Sequence, residues 1–140
     1  MALSFWSLLG FVVWTLSLVL FSVGLPRISA ISAKRARPTS FDPSVPHGSE
    51  RYRRSMRAHA NCVENLPVFA ALVLLGSEVG VSGELFQIAA ALVLPARVLQ
   101  STAHIASGTD SAVLVRFGFF SVQLACYAVL IALLVAHALR

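Results

Sequence analysis

The stretch RAHANCVENLPVFAALVLLG, residues 57–76, decides the fold. Its second half is the kind of apolar run that a lipid bilayer accepts, while its first half carries Arg57, His59, Asn61 and Glu64. Read without its polar head, the segment Asn65 to Ser77 is too short to cross a hydrocarbon core, which takes about 20 helical residues. Read as one helix through Arg57 it reaches spanning length. The same ambiguity recurs at Leu85 to Ala96, which spans only if its helix continues through Arg97 to His104. A half-inserted or re-entrant pair is the alternative. Polar side chains are costly in such a setting, so they are either structural glue or a working site.

The rest of the chain favours the spanning reading. It has 140 residues, 57% of them hydrophobic and 12% charged, which excludes an ordinary soluble domain and fits one membrane-embedded unit. Leu3 to Leu25 and Phe117 to Leu139 contain no Lys, Arg, Asp or Glu, and each is long enough to cross. A cleaved signal peptide competes for the first, with ISAISA (residues 28–33) resembling a cleavage site. The start lacks a positive region, however, and the apolar run is too long. The expected fold is therefore an all-α membrane protein, a four-transmembrane-helix bundle of up-down topology. Its spans lie near 3–25, 55–77, 84–105 and 113–139, with a basic loop over 26–54.

Of the eleven Lys and Arg residues, seven lie between Arg27 and Arg54. No aromatic-studded basic domain accompanies them, so nucleic acid is not an expected partner. The positive-inside rule instead predicts this loop on the cytoplasmic side and both termini on the other. Attraction for an anionic ligand is compatible with the same charge. Within the loop, Arg37 to Glu50 holds three prolines and a glycine and reads as irregular. Cys62 and Cys126 sit in apolar runs and read as small buried thiols. No metal site is expected.

The polar residues fall into three stripes. Arg57, Asn61 and Glu64 are spaced i, i+4, i+7; Arg97, Gln100 and His104 are spaced i, i+3, i+7; Arg116, Phe120, Gln123 and Tyr127 follow at i, i+4, i+7, i+11. Each set shares a helix face. With Arg57 and His104 at the inner interface, Glu64 and Arg97 lie at one depth, about 10 Å further in. A buried Glu64–Arg97 pair is then expected, leaving Arg116 without a carboxylate unless Asp110 reaches it from its turn. An unmatched intramembrane arginine suits an anionic ligand. The plainer readings are a structural ion pair for Glu64 and Arg97, an interhelical hydrogen bond for Asn61, and water-facing positions for His59 and His137. Pro67 and Pro95 read as relieved kinks, Trp6 and Trp14 as lipid-facing, and Gly76-x-x-x-Gly80 as a close-packing motif.

RAHANCVENLPVFAALVLLG resembles the second-helix signature of the MAPEG family, membrane-associated proteins in eicosanoid and glutathione metabolism. ARVLQS (residues 96–101) resembles that family's third-helix arginine motif and VRFGFFSVQ (residues 115–123) the start of its fourth helix. The short chain is similar to bacterial-type members. The resemblance implies a homotrimer of four-helix subunits that binds glutathione, as co-substrate, between adjacent copies. It implies that Arg57, Asn61 and Glu64 hold the tripeptide, with Arg97 and His104 from the third helix, and that Arg116 faces its sulfur as the catalytic group. A basic residue after the first helix, Arg35 or Arg37, is implied to reach the neighbouring copy's ligand. The implied activity is a glutathione-dependent transferase or peroxidase acting on lipophilic electrophiles or hydroperoxides from the bilayer.

The pattern breaks at three positions. Ala60 stands where some members carry a further arginine, His104 where well-studied members carry tyrosine, and Phe120 where a ligand-contacting tyrosine is usual. Two other functions fit the residues: a non-catalytic lipid-binding member of the same fold, and a small proton-coupled exporter working through Glu64.

Overall fold

A computed structural model describes residues 2–42 and 47–140 of the chain. The described residues are helical throughout, with no strand. Four helices are long and apolar enough to cross a membrane: α1 (Leu3–Ser32), α2 (Glu50–Glu78), α3 (Glu84–Ala106) and α4 (Asp110–Ala138). The fold is thus the expected bundle, and the polar heads of the second and third spans do belong to their helices. Both of those helices continue through a proline, Pro67 and Pro95, rather than ending at it.

Their starts are built by local chemistry. Ser49 caps α2 by accepting from the Tyr52 N–H at 3.2 Å, and Thr109 caps α4 by accepting from the Ala112 N–H at 3.4 Å. Glu50, Glu84 and Asp110 stand in the first turns, where an acid opposes the helix dipole. Between α2 and α3, Gly80 adopts φ +76°, and the Val81 N–H reaches back to the Gly76 carbonyl at 2.8 Å. This left-handed stop favours glycine, and Gly80→Ala is expected to cost about 1 kcal/mol of stability. A thermal-unfolding comparison in detergent checks it. The supposed Gly76-x-x-x-Gly80 packing motif is two devices. Gly76 lies against Phe86, whose ring carbon would sit 2.3 Å from any added Cβ, whereas Gly80 meets nothing and serves as the stop.

The first helix departs most from expectation. Pro26 does not end it; the helix runs on to Ser32, and the loop begins later than residue 26. Leu18–Gly24 forms wider π-type turns, and the Leu25 N–H bonds the Leu20 carbonyl five residues back. Widening the helix ahead of Pro26 relieves the clash a proline ring makes with the carbonyl four residues before it. Gly24 has the space for this: a Cβ there would lie 3.1 Å from the Val19 carbonyl oxygen. In the stretch expected to be irregular, residues 43–46 lie outside the described residues, and Pro38–Ser40 forms a single 3-10 turn.

α3 is the centre of the bundle, packing against all three other helices and burying the largest share of its span. Small residues (Ala89, Ala90, Ala96, Ser101) make this closeness possible. α1 is stitched to it by polar groups, the Ser7 hydroxyl donating to the Ala90 carbonyl at 2.7 Å and the Ser4 N–H to Gln87 Oε1 at 2.9 Å. At one level all four helices meet. Phe11 of α1, Phe69 of α2 and Tyr127 of α4 stack with centroids 5.9 and 6.1 Å apart, and the Arg97 guanidinium of α3 lies 5.6 Å above the Phe11 ring. Trp14, expected to face lipid, packs half-buried against this core, while Trp6 is exposed. Both cysteines are buried and unpaired.

Candidate functional site

Where α2, α3 and α4 begin or end at the basic side of the bundle, two adjoining cavities open. The outer one, about 320 Å³, is lined by Arg53, Arg54, Arg57, His104 and Arg116, with Glu50 the only acid among the described lining residues. The inner one, about 250 Å³, is lined by Asn61, Gln100, His104, Arg116, Phe117 and Phe120. His104 and Arg116 belong to both. The residues expected to converge therefore do so for Arg57, Asn61, His104 and Arg116.

Arg116 is half-buried, and its Nη1 lies 2.6 Å from His104 Nδ1. An arginine can only donate, so the imidazole nitrogen accepts, and the ring is neutral with its proton on Nε2. The histidine in the place of a tyrosine thus anchors the arginine. His104→Asn, which keeps an acceptor at that position, is expected to retain ligand binding. His104→Leu removes the acceptor, frees the guanidinium and is expected to weaken binding about tenfold. Titrating glutathione into each variant distinguishes the two. Arg54 is held separately, its Nε donating to the Ile105 carbonyl at 3.3 Å and its Nη1 lying 3.6 Å from Glu50.

Arg97 and Glu64 are not where the stripes put them. Among the described residues neither they nor Arg116 forms an ion pair, so the expected Glu64–Arg97 pair is absent, and Asp110 does not reach Arg116. Glu64 is exposed on α2. Arg97 is only 1% exposed and turns into the bundle, toward Phe11, on the face where α3 packs against the other helices. It touches neither cavity. Its Nη1 donates to Gln100 Oε1 at 2.6 Å, and Nε and Nη2 have no hydrogen-bond partner among the described residues. Gln100 lines the inner cavity, so this bond links Arg97 to the cavity's lining. With the amide oxygen engaged, the Gln100 amide nitrogen is left to donate elsewhere. The Gln123 amide likewise donates to the Tyr127 hydroxyl beneath the site, and Cys62 Sγ lies 3.5 Å from the Ser101 hydroxyl.

Arg35 lines a different cavity, beside Arg27 and Tyr52, and Arg37 is exposed at the head of the 3-10 turn. Within one chain neither lines the His104–Arg116 cavities. Sequence reasoning passed over Arg53 and Arg54, which it assigned to orientation in the membrane. Their signal was spacing on the same helix, with Arg57 at i+4 from Arg53 and at i+3 from Arg54. It also passed over Arg27, whose helical placement was hidden by Pro26.

The donor set suits glutathione in part. Arg53, Arg57 and Arg116 complement two carboxylates, and Asn61 and Gln100 supply amides. The ammonium group finds one acid in the cavities of a single chain, Glu50. No curated protein matches the chain. The family model described as the MAPEG family matches residues 4–136 of the 140, and the chain belongs to that family.

Proposed function

We propose that the protein is a membrane-bound glutathione-dependent transferase or peroxidase acting on lipophilic electrophiles or hydroperoxides. The observation that carries this is the sharing of His104 and Arg116 by a cationic outer cavity and an aromatic inner one. Arg57 and its neighbours bind the carboxylates of the tripeptide, and Asn61 and Gln100 orient its backbone. Glutathione supplies a thiol that becomes a nucleophile once a nearby cation favours the thiolate. Arg116, always charged and tethered by His104, holds a donor where that sulfur's charge develops. Phe117, 68% exposed, and Phe120 form the side open to lipid, so an apolar second substrate needs no aqueous route.

Glu64 supports an intersubunit site. A carboxylate near the middle of a bilayer costs roughly 2.5–3.5 kcal/mol on insertion scales, so a lipid-facing Glu64 is unfavourable. A second copy covering this face of α2 removes that cost and brings an acid to the ligand's ammonium, consistent with a homotrimer. A basic residue after α1 of the neighbouring copy, Arg35 or Arg37 among the candidates, completes the carboxylate contacts. Phe120 in place of a tyrosine favours a second reading, a lipid-binding member without the chemistry.

The test is a thiol-dependent conjugation screen against lipophilic electrophiles and hydroperoxides, using protein in detergent, beside native mass determination. Glutathione-dependent product formation by a trimeric species is expected. Lipid binding with no thiol-dependent turnover supports the second reading instead.

A further inference from the structure

A third cavity lies on the other side of the bundle, at the end of α1. It measures about 510 Å³, and its lining includes Arg27, Arg35, Ser40, Phe41, Ser49 and Tyr52; no described lining residue is acidic. The Arg27 guanidinium sits 5.1 Å from the Phe41 ring centroid and 5.9 Å from that of Tyr52, and its Nε donates to the Tyr52 hydroxyl. The side chain is thus held by two aromatic rings and one hydrogen bond before any ligand arrives. A smaller cavity of about 330 Å³ adjoins it across Pro26, Ser49 and Tyr52, and adds Arg51, Ser22, Ser55 and the lipid-facing Phe21.

Depth decides what such a site meets. The apolar run ends at Leu25, and 23 helical residues from Leu3 cover about 34 Å, slightly more than the hydrocarbon core. Arg27 therefore stands at the level of lipid headgroups. Just inside it, Phe21 and Leu25 are 65% and 51% exposed on α1, apolar surface along which acyl chains can lie. Basic pockets at the headgroup level between membrane helices are suited to anionic headgroups. Serine hydroxyls and a planar, preoriented arginine match a phosphodiester in particular.

We infer that this cavity binds the phosphate of an anionic phospholipid, held by Arg27 and Arg35 with the acyl chains along Phe21 and Leu25. The cavity shares no lining residue with the His104–Arg116 cavities, and because Arg35 is also a candidate contact for the neighbouring copy's glutathione, the test carries a glutathione arm.

The full-length protein in neutral detergent is titrated with short-chain phosphatidylglycerol, short-chain phosphatidylcholine, inorganic phosphate and glutathione, each followed by the shift in Tm. Phosphatidylglycerol is expected to stabilise saturably, and phosphatidylcholine and inorganic phosphate to do so far more weakly. Arg35→Gln is expected to weaken the phosphatidylglycerol response about fivefold and Arg27→Gln with Arg35→Gln about thirtyfold. Arg35 is exposed, so the single variant keeps the fold and decides the matter should the double variant not fold. Equal responses to the two lipids overturn the inference, as does a phosphatidylglycerol response unchanged by Arg35→Gln. Inorganic phosphate as effective as the lipid overturns the lipid as its source. A glutathione response that collapses in these variants while the lipid response survives overturns it too, and assigns the arginines to a thiol ligand.

Discussion

Arg116→Ala is expected to lower kcat for thiol-dependent conjugation by about 10²–10³-fold, the loss typical of removing one preorganised donor to developing charge. KM for glutathione should rise only about tenfold, because Arg57 and Asn61 remain in the cavities to bind the tripeptide. A fall in kcat that exceeds the rise in KM marks an interaction stronger at the reacting sulfur than in ground-state binding. Arg116→Lys keeps a charge but loses the fork that donates to His104, and an intermediate loss is expected. Steady-state kinetics on the three proteins, with the integrity of the assembly checked by mass, provides the measurement. A variant that keeps wild-type kcat removes Arg116 from the chemistry.

The second large effect is on stability. Arg97→Ala empties the space over Phe11 at the one level where all four helices meet, and strips the donor from Gln100 Oε1. A cost of about 3–5 kcal/mol is expected, as for other large buried truncations. Arg97→Met fills much of the same volume without burying a charge that, among the described residues, forms no ion pair. It is expected to be close to neutral or stabilising, as hydrophobic replacements of buried charges often are. The Met variant separates the two roles. It should fold well yet bind glutathione about tenfold more weakly, because nothing then holds the Gln100 amide toward the cavity. Unfolding in graded denaturing detergent reads the first effect and glutathione titration the second. If Arg97→Met leaves binding untouched, Arg97 is a packing residue and not a positioning one.

The number of crossings was legible in the sequence because hydropathy and length suffice for it. So was the convergence of Arg57, Asn61, His104 and Arg116: the short turn over 107–109 brings His104 and Arg116 together, and Arg57 and Asn61 share one stripe of α2. What periodicity could not give is which neighbour a face meets. Arg97 and His104 share a face of α3, yet three helices pack against α3, and seven residues along the helix the adjacent group changes from Arg116 to Phe11. Glu64 shares its face with Asn61, but nothing in one chain covers it a turn higher. The expected Glu64–Arg97 pair rested on equal depth alone, and depth says nothing of azimuth. The end of α1 was misjudged for another reason. Proline ordinarily closes a helix, and the wider turns ahead of Pro26 that let this one continue show only in three dimensions.

The central claim is that Arg57, Asn61, His104 and Arg116 form one socket for an anionic thiol peptide at the inner end of the membrane span. Equilibrium binding of radiolabelled glutathione to the detergent-solubilised protein, in parallel with Arg57→Ala and Arg116→Ala, tests it most directly. Saturable binding that falls with salt and is weakened by both substitutions is the predicted result. Wild-type protein with no saturable uptake, or uptake indifferent to both arginines, contradicts it.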